Sequence, residues 1–174
     1  MNSAGTFVST TAETGILPGD PLLTSAVTVT PDASKGGEYV AMKITLSDGT
    51  NSKTASQLGL TVNVSSGWTY DSTNNAYIYT GAGSTPAVMT SQTTALPYDV
   101  TTNPSSPVYG IVYNRNDNWD GNDFAEDSSY ISDGGHMDQT MTVVIQFYSV
   151  QSANTTYATN LALLTELGLI LSGS

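Results

Sequence analysis

The sequence predicts an all-β protein: a two-sheet β-sandwich with long loops and a short C-terminal helix. Three observations carry this. Apolar and polar residues alternate with period two along several short segments, as half-buried strands require. Gly, Pro, Asn and Asp bound each of those segments, and their spacing is that of two packed sheets. The chain of 174 residues contains no cysteine, so a packed core rather than a disulfide framework must hold it together, and its length suffices for one such core.

The elements follow in order. Residues 1–15 form an N-terminal arm in which Thr6, Phe7, Val8, Ser9 and Thr10 are extended-prone and rich in hydroxyls. The arm is a candidate donor strand; an edge strand within its own chain or a disordered terminus is the alternative. A single domain spans 16–174. Its strands are expected at Ala26–Thr30, Tyr39–Leu46, Leu60–Val64, Trp68–Tyr70, Ala76–Tyr79, Val108–Tyr113 and Met141–Val150. Asp48-Gly49 and Asn74-Asn75 carry residues that tolerate positive φ and mark turns between neighbouring strands.

Residues 81–107 contain Pro86, Pro97, Pro104 and Pro107 and little periodicity, which reads as a long loop crossing between sheets or an insertion. Residues 114–139 read as a second loop, rich in Asp, Asn and Gly. In the tail, Leu161, Leu164, Leu167 and Leu171 recur at helical spacing, although 167–171 also fits a final strand; the helix is the reading taken.

Composition removes several function classes. Four Lys and Arg stand against fifteen Asp and Glu, a net charge of −11, so nucleic acid and anionic lipid are disfavoured partners. No window reaches the roughly 18 apolar residues of a membrane span, so no membrane insertion is expected. The first residues show neither a basic segment nor an apolar core of an export signal, so secretion is an expectation from composition and resemblance.

Three fragments stand in a particular order: Ile16-Leu17-Pro18-Gly19-Asp20 leads into Val27-Thr28-Val29-Thr30 and then Tyr39-Val40-Ala41-Met42-Lys43-Ile44, Trp68-Thr69-Tyr70 is followed by Tyr77-Ile78-Tyr79, and the stretch Val143 to Ala153 closes the series. In this order they resemble the opening turn and strands, the Trp hairpin and the closing strand of the TasA and camelysin-like proteins, which Gram-positive bacteria export through a SipW-type signal peptidase. The resemblance implies a jelly-roll-like sandwich, secreted to the cell surface or biofilm matrix. It also implies a structural rather than catalytic role, with self-assembly into fibres or association with other matrix proteins.

Candidate chemistry is sparse. Asp117, Asn118, Asp120, Asn122, Asp123 and Asp127 surround Gly121 in an oxygen-rich loop of the kind that supplies Ca²⁺ ligands, and a solvated loop of Asx-turns is the plainer reading. No other cofactor is expected. His136 is the only imidazole, too few nitrogen ligands for a zinc hydrolase, and no Gly-x-Ser-x-Gly turn exposes a serine nucleophile. Trp68, Tyr70, Tyr77 and Tyr79 lie on adjacent predicted strands. Facing outward they make a stacking platform for polysaccharide, the alternative function of a carbohydrate-binding or adhesion module; packed together they are ordinary cross-strand contacts.

Overall fold

A computed structural model describes residues 3–8, 19–32, 34, 36–113, 141–153 and 155–170. It is an all-β protein with a short C-terminal helix. The strands are β1 (Ser3–Val8), β2 (Val27–Val29), β3 (Glu38–Ser47), β4 (Ser52–Lys53), β5 (Leu60–Val62), β6 (Trp68–Asp71) and β7 (Ala76–Tyr79). They continue with β8 (Thr93–Leu96), β9 (Tyr98–Asp99), β10 (Val108–Tyr109), β11 (Ile111–Tyr113) and β12 (Thr142–Gln151), before helix α1 (Asn160–Glu166).

The frame is a six-stranded sheet in the order β1-β12-β3-β7-β6, with β4 paired to β3. At its centre β3 and β12 run antiparallel through ten register pairs, from Thr142↔Ser47 to Gln151↔Glu38. Alternation along both strands sorts the side chains onto two faces. Met42, Ile44, Leu46, Val143 and Ile145 enter the larger core, where they meet residues such as Leu22, Leu60, Leu96 and Ile111 from the opposing layer. Tyr39, Ala41 and Ile78 face the other way, into a smaller core closed by Leu163, Leu164 and Leu169.

The opposing layer consists of three antiparallel ribbons, β2-β8, β9-β10 and β5-β11. Backbone bonds knit them together: Asn63 N–H donates to Gly110 O at 2.7 Å, Ser65 N–H to Ala95 O at 2.9 Å and Gly110 N–H to Pro97 O at 2.6 Å. The stretch Val108–Tyr113, expected as one strand, is therefore divided at Gly110, where β10 leaves β9 and β11 takes up β5. Only glycine fits there, because a Cβ on residue 110 would lie 2.6 Å from Leu96 Cβ.

Two other expectations change. Residues 81–107 are not a plain loop, since they contain β8 and β9, and Ala95 and Leu96 are fully buried. The tail is helical at Asn160–Glu166, yet its buried face is Leu163, Leu164 and Leu169, while Leu161 is 60 % exposed. The ends of α1 explain the shift. Thr159 Oγ1 accepts from Ala162 N–H and starts the helix. Gly168, at φ 69°, then reverses the chain so that Leu169 N–H bonds Leu164 O, folding Leu169 back under the helix. No helix among the described residues is long and apolar enough to cross a membrane.

Candidate functional site

The two outer strands of the main sheet, β1 and β6, are the candidate functional elements. β1 pairs antiparallel with β12 from Ser3↔Ser149 to Val8↔Val144, and among the described residues with no other strand. Of the arm residues singled out as a donor, Thr6 lies opposite Gln146, Phe7 opposite Ile145 and Val8 opposite Val144. Ser9 and Thr10 lie outside the described residues. Without β1, the N–H and C=O groups of Val144–Ser149 on that side would lose their ladder partners, and unsatisfied backbone groups along an apolar strand are a template for pairing with another chain.

At the opposite edge, β6 and β7 bring the predicted aromatics together. Their register pairs Trp68 with Tyr79 and Tyr70 with Tyr77. Ring centroids are 5.7 Å apart in the first pair and 4.8 Å in the second. Thr80 N–H donates to Gly67 O, which fixes the alternation of the ladder and leaves both aromatic pairs at non-hydrogen-bonded positions, where opposing side chains come closest.

These four rings share the face that carries the larger core. Trp68 and Tyr77 pack against that core, and Trp68 also lies 6.2 Å from the Phe147 ring. The indole N–H donates to Thr94 O at 3.2 Å, tying the sheet edge to the second layer. Tyr70, 49 % exposed, is the outermost ring, and its hydroxyl donates to Asn75 Oδ1 at 2.9 Å. Burial, with the neighbouring Tyr70 as a second cause, pushes the Tyr77 phenol above its ordinary pKa. The geometry combines a packed interior row with one solvent-facing ring.

A further aromatic pair escaped the sequence reading. Tyr98 and Tyr109 face each other across β9-β10 with centroids 5.1 Å apart and ring planes at 46°. They flank the stretch rich in Pro and Ser that hid the ribbon, beside the exposed Val100 and Val108. Only the register brings them together.

The candidate calcium residues Asp117, Asn118, Asp120, Asn122, Asp123 and Asp127 lie outside the described residues, as does His136. Among the described residues, no three His, Cys, Asp or Glu side chains gather as a metal site. No protein-family model, curated protein or solved structure matches the chain.

Proposed function

We propose that the chain is a noncatalytic extracellular structural protein, of the cell surface or biofilm matrix, that assembles into fibres when β1 of one copy adds to the sheet of another. The observation that carries this reading is the position of β1. It is an N-terminal strand at the sheet edge whose pairing, among the described residues, is the β12 ladder alone. A ladder of backbone bonds is indifferent to which chain supplies the strand, so exchange between copies replaces six register pairs with the same six. The ten residues between Val8 and Gly19 limit the reach of the swap to about 35 Å. The net charge of −11 opposes association, so assembly should strengthen as salt screens it.

A cysteine pair tests the exchange, because the chain has no cysteine of its own. Thr6→Cys with Gln146→Cys, register partners, should lock β1 onto its own chain when oxidised. The oxidised protein is expected to stay monomeric in sedimentation while the reduced form and the original chain assemble. Assembly by the monomer locked in this way would sink the reading. So would an original chain that remains monomeric at high concentration in high salt.

A second reading, polysaccharide binding at the β6 edge, is favoured by the exposed Tyr70 ring beside Tyr77. Stacking on a sugar would make Tyr70→Ala lose retention on an insoluble polysaccharide while leaving assembly intact. Retention unchanged by that substitution would exclude this edge as the binding surface.

A further inference from the structure

We propose that Tyr98 and Tyr109 form an oxidative cross-linking site, at which a peroxide-driven haem peroxidase joins the two rings into an intramolecular dityrosine that staples the β9-β10 ribbon. The argument begins with the ladder. Gly110 N–H donates to Pro97 O, so residues 97 and 110 occupy a hydrogen-bonded position of the ribbon. The next pair, Tyr98↔Tyr109, is then non-hydrogen-bonded, the position at which opposing Cα atoms are closest and their side chains touch. The observed centroid separation of 5.1 Å is a little longer than that of two rings joined by one carbon–carbon bond. Rotation of the two half-buried rings about χ1 and χ2 has to close that difference.

This pair differs from the other two tyrosine pairs among the described residues. Both rings are half-buried, and neither hydroxyl bonds a described side chain or backbone group. In the Tyr70–Tyr77 pair the Tyr70 hydroxyl is engaged by Asn75, and Tyr77 would have to turn out of the core. In the Tyr39–Tyr157 pair the rings stand at 87°, and Tyr39 is 5 % exposed. The chain also has no cysteine thiol to intercept a tyrosyl radical or to staple the ribbon in another way.

The step balances as follows. The oxidised haem removes one electron from each phenol as each proton passes to solvent, giving two phenoxyl radicals. A bond forms between the ring carbons ortho to the two hydroxyls. The hydrogens displaced from those carbons return to the phenolic oxygens, and the peroxide is reduced to two waters. Overall, two phenols and one hydrogen peroxide give one dityrosine and two waters. A neighbour on the same ribbon acts at an effective concentration of at least about 1 mM, so at micromolar protein coupling within the pair outruns coupling between chains by roughly 10³.

The test treats the full chain, dilute and monomeric, with hydrogen peroxide and a haem peroxidase. Dityrosine fluorescence should appear in a product that remains monomeric and is lighter by two hydrogen atoms. A protease that cuts before aspartate separates Tyr98 from Tyr109 at Asp99, so a joined pair of peptides 71–98 and 99–116 narrows the new bond to these segments, and fragmentation of the pair tells Tyr98 from Tyr77 and Tyr79 and Tyr109 from Tyr113. Tyr98→Phe and Tyr109→Phe keep a ring in the ribbon but cannot form the phenoxyl radical, and each should abolish the joined pair. The proposal fails if oxidation at a dose that couples free tyrosine leaves these peptides separate. It also fails if the dityrosine maps to other tyrosines, or if it persists in both variants.

Discussion

The β3-β12 ladder and the β9-β10 ribbon solve the same problem by different means. The ladder runs through ten register pairs, and its strength is collective: every second residue enters a core, and Met42, Ile145 and Ala41 are completely buried. The ribbon has two register pairs. It is held by particular groups: a glycine against Leu96, the Asn63 amide donating to Tyr109 O at 2.9 Å, and Asp99 collecting donors from the loop that follows. A long ladder tolerates the loss of any one backbone bond. A short ribbon rests on a few irreplaceable residues.

Two substitutions would break the comparison at its strongest points. Met42→Ala removes a fully buried side chain from the centre of β3 and should cost about 2–5 kcal/mol of global stability, the range for such cavities. Gly110→Ala forces a methyl group against Leu96 Cβ and should cost about 1–3 kcal/mol, as overpacking does. The two should also differ in kind. Met42→Ala should lower hydrogen-exchange protection across the whole molecule, whereas Gly110→Ala should lower it first in β9, β10 and the ends of β5 and β8. Equal loss of protection in both regions for both variants would show that the ribbon is not a separate unit of stability.

The contrast also explains what the sequence could reveal. β3 and β12 were legible because alternation over ten residues leaves one arrangement that buries the apolar set. β8 and β9 were not, because each is short and Pro97 stands between them. Proline is harmless there, since the bond at that position runs from Gly110 N–H to Pro97 O and needs no donor from residue 97. Helix α1 was readable as a helix, but its apolar stripe was misplaced: the reversal at Gly168 lets Leu169 join the buried set in place of Leu161. Of the candidate site, the Trp68 to Tyr79 hairpin was visible as alternating aromatics on neighbouring strands. The Tyr98–Tyr109 pair had no local signal, because eleven positions separate the two residues and only their register unites them.

The smallest expected effect sharpens the comparison by acid titration. Asp48 lies in the turn joining β3 to β4, and Asp99 ends β9. Both carboxyls are held at about 2, below the ordinary 3.8. For Asp48 the Asn51 and Thr50 backbone N–H donors come first, at 2.7 and 2.9 Å, with the Lys53 ammonium 3.2 Å from its other oxygen. For Asp99 the Thr102 hydroxyl is the main cause, followed by the Thr102 backbone N–H, the Thr101 hydroxyl and the Thr101 backbone N–H.

A folded pKa below the unfolded one means that between the two values the unfolded chain binds more protons. The stabilisation is therefore complete above about pH 3.8 and drains away as pH falls towards 2. Both groups are partly exposed and solvent screens them, so the effect is modest and best read as a slope. Asp48→Asn and Asp99→Asn keep an accepting oxygen while removing the titration, and the double variant should show a shallower fall in urea midpoint across that window than the original chain. Added salt should weaken the Asp48 contribution in part, through the Lys53 pair, and leave that of Asp99, whose donors are neutral, nearly unchanged. An acid slope identical in the double variant would mean that these turns open before the rest of the sheet unfolds, and that neither carboxylate is linked to the global transition.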